Sequence, residues 1–458
     1  MTLPSTGFAE HALLPDGWRA NVRLEVDAQG HFASVTPDAT PENADWRAPL
    51  VVPAMPNLHS HAFQRAMAGL AEARLQPRDS FWTWRQLMYR LALRVTPEQL
   101  QAIARALYTE MLCAGYTHVA EFHYLHRDPQ GNAYTDPAEM AQQLAIAARD
   151  TGIGLTLLPT LYTHAGFGAT PLAEPQRRFA SDPAFIDDLV TRIDRQRYAP
   201  GRILTGYAAH SLRAADIAAI RALSAQAADR PFHIHIAEQQ AEIDQCVAAT
   251  GQTPVACLLE SVDVGRNWCL VHATHMTAQE TTRLAHSGAV AGLCPITEAN
   301  LGDGVFPLSP FLKERGTFGI GSDSNIQISP GEELRLLEYG QRLWHQQRCI
   351  SLPDDALGSV GTYLWQSATQ GGAQACGLPL WGVRTGARAD LCVLDTEHLP
   401  IPARQASTRF DSALFATSRL PIRDVMCHGT WRVRDGEHPM RADALRAFAH
   451  VVTALLDD

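Results

Sequence analysis

Hydrophobic and polar positions divide the chain into three stretches of different rhythm. In the first, apolar and polar residues alternate between residues 8 and 36. Val22, Leu24 and Val26 face one way, Asp27-Ala-Gln-Gly30 turns the chain, and Phe32 and Val35 follow. Period-two alternation on both sides of a turn predicts a β-hairpin. A lone hairpin is not stable in water, so these strands need partners from elsewhere. From Val51 to about Ser324 the rhythm changes. Short apolar runs at 51–58, 116–122, 153–161, 203–210, 232–237, 268–273, 289–296 and 317–323 alternate with longer stretches. One of the intervening helices is written out in full. Thr96-Pro97-Glu98-Gln99 supplies an N-cap, a proline at the first helical position and a capping-box glutamine. Leu100, Ile103, Ala104, Leu107 and Met111 then share one face, and Gly115 ends the helix.

Eight such alternations predict a (β/α)8 barrel. An open doubly wound sheet would share the alternation, but no glycine-rich phosphate loop follows the first strand. In the third stretch, 332–380 reads as helices without a further strand, the first carrying an apolar stripe of Leu334, Leu337, Tyr339 and Leu343. Strand signals return at 389–394 and as a hairpin over 425–433, and 442–456 has the spacing of a closing amphipathic helix. The late strands can complete the early ones. The expected architecture is α/β: a TIM-type barrel over 51–381, a small β-sandwich domain from 1–50 plus 382–440, and a C-terminal helix over 441–458.

Composition narrows the function. With 46% hydrophobic and 19% charged residues in 458, the chain reads as a folded, soluble enzyme-like protein with one large unit and a smaller one. A net charge of −10 argues against nucleic-acid partners, and an anionic ligand would need local arginines against the global field. Arginine supplies almost all the positive charge; Lys313 is the only lysine. The nine cysteines form no CxxC pair and read as reduced thiols. No signal-peptide pattern opens the chain and no apolar run reaches membrane-spanning length, so a cytoplasmic location without membrane partners is expected.

Barrel enzymes carry their chemistry at the C-terminal ends of the strands. His59 and His61 end the first strand, and residues two apart in a strand point to one side, so both imidazoles can reach one ion. His233-Ile-His235-Ile-Ala-Glu238 ends the fifth, His272 the sixth, Asp323 the eighth, and Tyr207-Ala-Ala-His210-Ser-Leu-Arg213 the fourth. Singly, each admits an ordinary role: a chance HxH, a core histidine, an aspartate capping a turn. In this order on successive strands, a shared metal site is the simpler account.

That order resembles the amidohydrolase superfamily, (β/α)8 barrels with HxH on strand one, histidines on strands five and six and aspartate on strand eight. The resemblance covers the whole chain, split β-domain included. No lysine lies between His61 and Lys313, so the carbamylated-lysine bridge of the binuclear members cannot form. The remaining pattern resembles the mononuclear deaminase branch, which implies one Zn²⁺ per subunit, or another divalent ion, held by His59, His61, His235 and Asp323. Glu238, His272 and Asp323 are then the catalytic groups. The metal lowers the pKa of a bound water, His272 and Asp323 orient it, and Glu238 protonates the departing nitrogen, the division of proton work staying open. His233 is read as packing or support, and Glu121 as a buried hydrogen-bond partner rather than a ligand.

The windows Met55–Leu70, Phe81-Trp-Thr-Trp-Arg85, Glu121-Phe-His-Tyr124 and Ala209-His-Ser-Leu-Arg213 resemble the formimidoylglutamate deiminases. The resemblance implies hydrolysis of N-formimidoyl-L-glutamate to N-formyl-L-glutamate and ammonia in histidine degradation. It assigns substrate contacts to Gln64, Arg85, Tyr124, His210 and Arg213. Arginine suits a dicarboxylate, because its guanidinium pairs bidentately with carboxylate. Trp82 and Trp84 are read as core or lid packing. The expected partners are a small anionic substrate derived from an amino acid and, as is common in the family, a second copy in a homodimer. Two rivals stay open: a deaminase of an aromatic base such as guanine, and an inactive, metal-stabilised binding barrel.

Overall fold

The structure of the protein, a computed structural model, describes residues 4–73, 81–397, 399–401 and 404–457, without the side chains of residues 81 and 82. Eight parallel strand positions follow one another in chain order among these residues. They are Met55–Ser60, Tyr116–His123, Gly154–Leu161, Ile203–Thr205 with Tyr207–Ala209, Phe232–Ile236, Trp268–His272, Val290–Leu293 and Thr317–Ile320. The first and last meet through a parallel bridge between Ser60 and Asp323. Asp323 N–H donates to the His59 carbonyl, and His61 N–H donates to the Asp323 carbonyl, each at 2.9 Å. The sheet therefore closes into a barrel, and the closure is made by the residues expected to bind metal. An open doubly wound sheet is excluded.

The second sheet comes from both chain ends. Its order is Thr430–Val433, Ile422–Cys427, Leu391–Leu394, Leu50–Pro53, Ser5–Leu14, Gly17–Val26, Phe32–Thr36, with Trp46–Ala48 parallel to Ser5–Leu14. It encloses its own core of Val22, Leu24, Phe32, Val51, Leu391, Val393 and Met426. The apolar run 51–58 is thus two strands, not one. Val51 pairs with Val393 and Val52 with Cys392 in the end-sheet, and the barrel strand begins only at Met55. The chain crosses between sheets at Pro53-Ala54, where the indole N–H groups of Trp365 and Trp381 each donate to one of the two carbonyls at 2.9 Å. Partners for these carbonyls are needed because a buried unpaired one is costly.

Helix Pro97–Ala114 forms as its sequence specifies: Thr96 and Gln99 make a reciprocal capping box, and Gly115 ends the helix in a left-handed conformation at φ 95°. Helix Val360–Ala375 runs under the barrel, where Gly371 lies so close to the Phe318 carbonyl that any Cβ would collide with it. The stripe expected on helix Pro330–His345 is split. Leu334 and Leu337 are buried, whereas Leu343 is 83% exposed. No helix among the described residues is long and apolar enough to cross a membrane.

Candidate metal centre and its cavity

Three imidazoles and one carboxylate converge at the C-terminal mouth of the barrel. The Nε2 atoms of His59 and His61 lie 3.1 Å apart, those of His61 and His235 3.3 Å, and those of His235 and His59 3.0 Å. Asp323 Oδ1 is 3.4 Å from His59 Nε2 and 3.3 Å from His61 Nε2. Four donors placed tetrahedrally ~2.0 Å from a Zn²⁺-sized ion stand ~3.3 Å from one another, so these separations match the edges of such a shell. Tautomers agree. His61 Nδ1 faces the Phe122 carbonyl at 2.9 Å and His235 Nδ1 the His210 carbonyl at 2.9 Å, so each Nδ1 carries the proton and each Nε2 turns a lone pair inward. Burial pushes His59 down to about 3 and His235 well below its usual value. Burial alone would raise Asp323, but the imidazoles of His59 and His61 facing its carboxylate hold it well below the carboxylate range. Neutral imidazoles facing an anion make a seat for a divalent cation of the zinc type.

The backbone is strained where these groups emerge. His272 sits at φ 69°, Asp323 at 44° and Ala237, just before Glu238, at 52°, left-handed values that non-glycine residues rarely adopt. Such strain collects at functional sites.

Beside the cluster, His272 Nε2 lies 3.8 Å from both Glu238 Oε1 and Asp323 Oδ2, while Nδ1 lies 3.2 Å from Glu298 Oε1. Burial opposes a charge on this imidazole, yet the three carboxylates outweigh it and raise its pKa well above the usual value. Burial first, then the charges of Asp323 and Glu242, push Glu238 up to about 7 against the pull of His272 and Arg213. His272, Cys294 and Glu298 also group closely, but hydrogen bonding explains the grouping. Burial keeps the Cys294 thiol protonated, and Glu298 Oε1 accepts from the Cys294 backbone N–H at 2.8 Å.

The cavity next to the cluster brings the remaining expected residues together. Gln64, Arg85, Tyr124, His210 and Arg213 all line it, with Glu238 and His272. Gln64 Nε2 donates to the Tyr124 hydroxyl at 3.0 Å, and the His210 ring packs 4.9 Å from that of His235. Trp84 also reaches the wall; the side chains of Phe81 and Trp82 lie outside the described residues. His233 bonds the Ala375 carbonyl at 2.8 Å, behind the site. Glu121 stands apart from the four converging groups. It accepts from Ala62 N–H and the Tyr108 hydroxyl, and burial pushes it up to about 8. A larger cleft of about 800 Å³ opens elsewhere, where the end of helix Val360–Ala375 meets Leu13 and Leu14 of the end-sheet, and it holds none of these groups.

Tyr89, Tyr162 and Phe179 line the wall and carry no mark in the sequence patterns above. Tyr162 stands one residue past the third strand, a strand-end position where a polar aromatic invites notice. Glu298 was missed too; its signal is a carboxylate in the first turn of helix Pro295–Leu301, directly after strand seven.

Comparison with known proteins places this geometry. Residues 50–432 match the Amidohydrolase family. The chain belongs to the amidohydrolase family. Residues 6–48 match the Formimidoylglutamate deiminase HutF, N-terminal domain. Among curated amidohydrolase relatives, formimidoylglutamate deiminase of Pseudomonas aeruginosa is 51% identical over 98% of this chain and 99% of its own. The 8-oxoguanine deaminase of the same organism is 27% identical over 84% and 83%. Among solved structures, an amidohydrolase from Brucella melitensis superposes with a TM-score of 0.95 at 45% identity, covering 99% of this chain and 100% of that one. An adenosine deaminase from Xanthomonas campestris with bound zinc shares the fold at TM-score 0.82 and 20% identity, covering 99% and 98%.

Proposed function

We propose that this amidohydrolase hydrolyses N-formimidoyl-L-glutamate to N-formyl-L-glutamate and ammonia, with one zinc ion per subunit held by His59, His61, His235 and Asp323. The observation that carries the reading is a single cavity. It joins that donor cluster and its proton-handling neighbours to two arginines, Arg85 and Arg213, suited to a dicarboxylate. The 51% identity to the Pseudomonas aeruginosa deiminase supports the same substrate.

A divalent cation in the cluster supplies the Lewis acidity that makes water lose a proton near neutral pH. The chain's own groups do the rest. Arg85 and Arg213 bind the carboxylates, and Gln64 and Tyr124 offer neutral hydrogen bonds to the reacting end, with His210 beside them. His272 Nε2 and Asp323 orient the attacking water toward the amidine carbon. As the C–O bond forms, the carboxylate of Glu238 takes up the proton that the water gives up and passes it to the nitrogen. As the C–N bond then breaks, the hydroxyl proton follows to that nitrogen, which leaves as ammonia, and a formyl C=O remains. A carboxyl displaced to about 7 can both hold and release that proton near neutrality. A protonated formimidoyl group is cationic and finds an anionic wall in Glu238 and Asp323. The enzyme acts in the cytoplasm as a homodimer in this reading, and light scattering checks the second part.

An aromatic-base deaminase needs a flat apolar slot and amide-type readers rather than two arginines, and an inert binding barrel needs neither Glu238 nor His272. Ammonia release from N-formimidoyl-L-glutamate and from guanine, measured with elemental analysis of the metal, tests the reading. Turnover of the first alone supports it; turnover of guanine alone overturns it. Arg213→Met is expected to raise KM at least about tenfold, the scale of one charge-assisted pair. An unchanged KM would remove Arg213 from the substrate.

A further inference from the structure

Part of the cavity wall has no role in the reaction just described. Tyr89 stands on helix Phe81–Ala92 and Tyr162 just past strand Gly154–Leu161, and both face the cavity. Their phenol oxygens take hydrogen bonds from one group, the side-chain amide of Gln176, at 3.1 Å for Tyr89 and 2.8 Å for Tyr162. The direction of those bonds is fixed. Gln176 is buried, and its Oε1 accepts from the backbone N–H of Ala173 at 2.9 Å. Turning the amide over would set its NH₂ against that N–H. Nε2 therefore uses both of its hydrogens on the phenols.

An oxygen that accepts from an amide still has its own proton to give. The two phenols can bond each other in one sense only, so at least one O–H stays available to the cavity. Burial raises the Tyr162 pKa and keeps that proton in place. Phe179 packs against both rings, at 5.9 Å from Tyr89 and 5.3 Å from Tyr162, and holds them. Arg85 lies 5.3 Å from the Tyr89 ring centre, and both Arg85 and Arg213 act electrostatically on Tyr162. The corner thus offers O–H and N–H donors over an aromatic floor. The carboxylates Glu238 and Asp323 belong to the metal end. His210 stands between the two ends, its ring 4.7 Å from Tyr162 and 4.9 Å from His235.

We propose that Tyr89 and Tyr162, aimed by Gln176, form with Arg85 the seat for the substrate's side-chain carboxylate, the one farther from the formimidoyl group. Gln176 is a positioning residue: it directs the phenol protons and does not touch substrate. The proposal rests on the substrate reading above.

The test compares two ligands of equal length on metal-loaded protein by calorimetry, N-formyl-L-glutamate and N-formyl-L-norvaline, the second lacking the distal carboxylate. Two variants are measured beside the wild type, Tyr89→Phe with Tyr162→Phe, and Gln176→Glu. The glutamate keeps an oxygen for Ala173 but replaces two donors with an acceptor, which draws the phenol protons away from the cavity. Both variants are expected to lose about tenfold or more in affinity for N-formyl-L-glutamate, as for a hydrogen bond to a charged group. Affinity for N-formyl-L-norvaline should stay unchanged, whereas a merely structural role would weaken both ligands alike. Equal losses, or none, overturn the seat. Ammonia release by the wild type is measured in parallel. A wild type that binds N-formyl-L-glutamate but does not hydrolyse the amidine, with the two variants selective as above, overturns the reaction and supports the seat. Full turnover with unselective variants overturns the seat alone.

Discussion

An imidazole among carboxylates needs something to choose its orientation, and for His272 that is Glu298. One oxygen, Oε1, accepts from the Cys294 backbone N–H at 2.8 Å and faces His272 Nδ1 at 3.2 Å. With Nδ1 committed, Nε2 is turned toward Glu238 and Asp323. Glu298→Ala is expected to lower kcat about 10- to 100-fold with KM nearly unchanged, the scale of losing a partner that orients a site histidine. Glu298→Gln keeps an oxygen for both donors and should recover most of the rate. A rise in KM instead would move Glu298 to substrate binding. Glu238 is separated from the metal role by its own variant. Glu238→Gln should retain the metal by elemental analysis while turnover falls at least about 10²-fold, the usual weight of a general acid. Undiminished activity would contradict the proton-transfer role.

At the scale of elements, the cavity wall depends on the segment that follows the third barrel strand. Arg178, fully buried, donates through Nε to the Arg127 carbonyl at 2.7 Å and through one terminal nitrogen to the carbonyls of Ala92 and Val95. It thereby ties the end of helix Phe81–Ala92, which carries Arg85 and Tyr89, to the loop after strand two. Arg178→Met leaves three carbonyls short of a donor and should cost about 3 kcal/mol. Hydrogen exchange should rise first over residues 85–95, and KM with it. Loosening spread over the barrel with KM unchanged would detach this segment from the site. These ties were illegible in the sequence because they join residues 50 to 90 positions apart. Helix Pro97–Ala114, by contrast, was fully legible, its cap, proline and terminal glycine all being local signals. The metal donors were legible because strand geometry puts His59 and His61 on one side whatever surrounds them. The run 51–58 misled because apolarity does not say which sheet a residue joins, and Val51 and Val52 are claimed by partners some 340 positions away. Tyr339 and Leu343 misled for a related reason: spacing defines a face of a helix, not whether a neighbour covers it.

The whole molecule has a property that no single element carries: it buries many histidines in the neutral state. Away from the metal donors, burial holds His118 and His123 well below their usual pKa and His126 down to about 4. His126 Nε2–H donates to the Thr160 carbonyl at 2.9 Å, and Nδ1 is buried without a hydrogen-bond partner among the described residues, so a second proton finds no acceptor there to stabilise it. In the unfolded chain the same imidazole binds a proton near pH 6.5. Between 6.5 and about 4 the unfolded state therefore holds one more proton at this position than the folded state, and stability rises with pH. The contribution is complete above 6.5 and is lost as pH falls toward 4, amounting to about 3 kcal/mol for a shift of this size. His126→Gln keeps an N–H for Thr160 and cannot titrate in this range. Urea denaturation of wild type and variant at a series of pH values should give a shallower acid-side fall for the variant, by about one proton in slope between pH 6.5 and 4. Metal loss at low pH acts on both proteins equally and cancels in the difference. Identical slopes would mean that His126 takes up its proton in the folded barrel as readily as in water, and that its burial is not what holds it neutral.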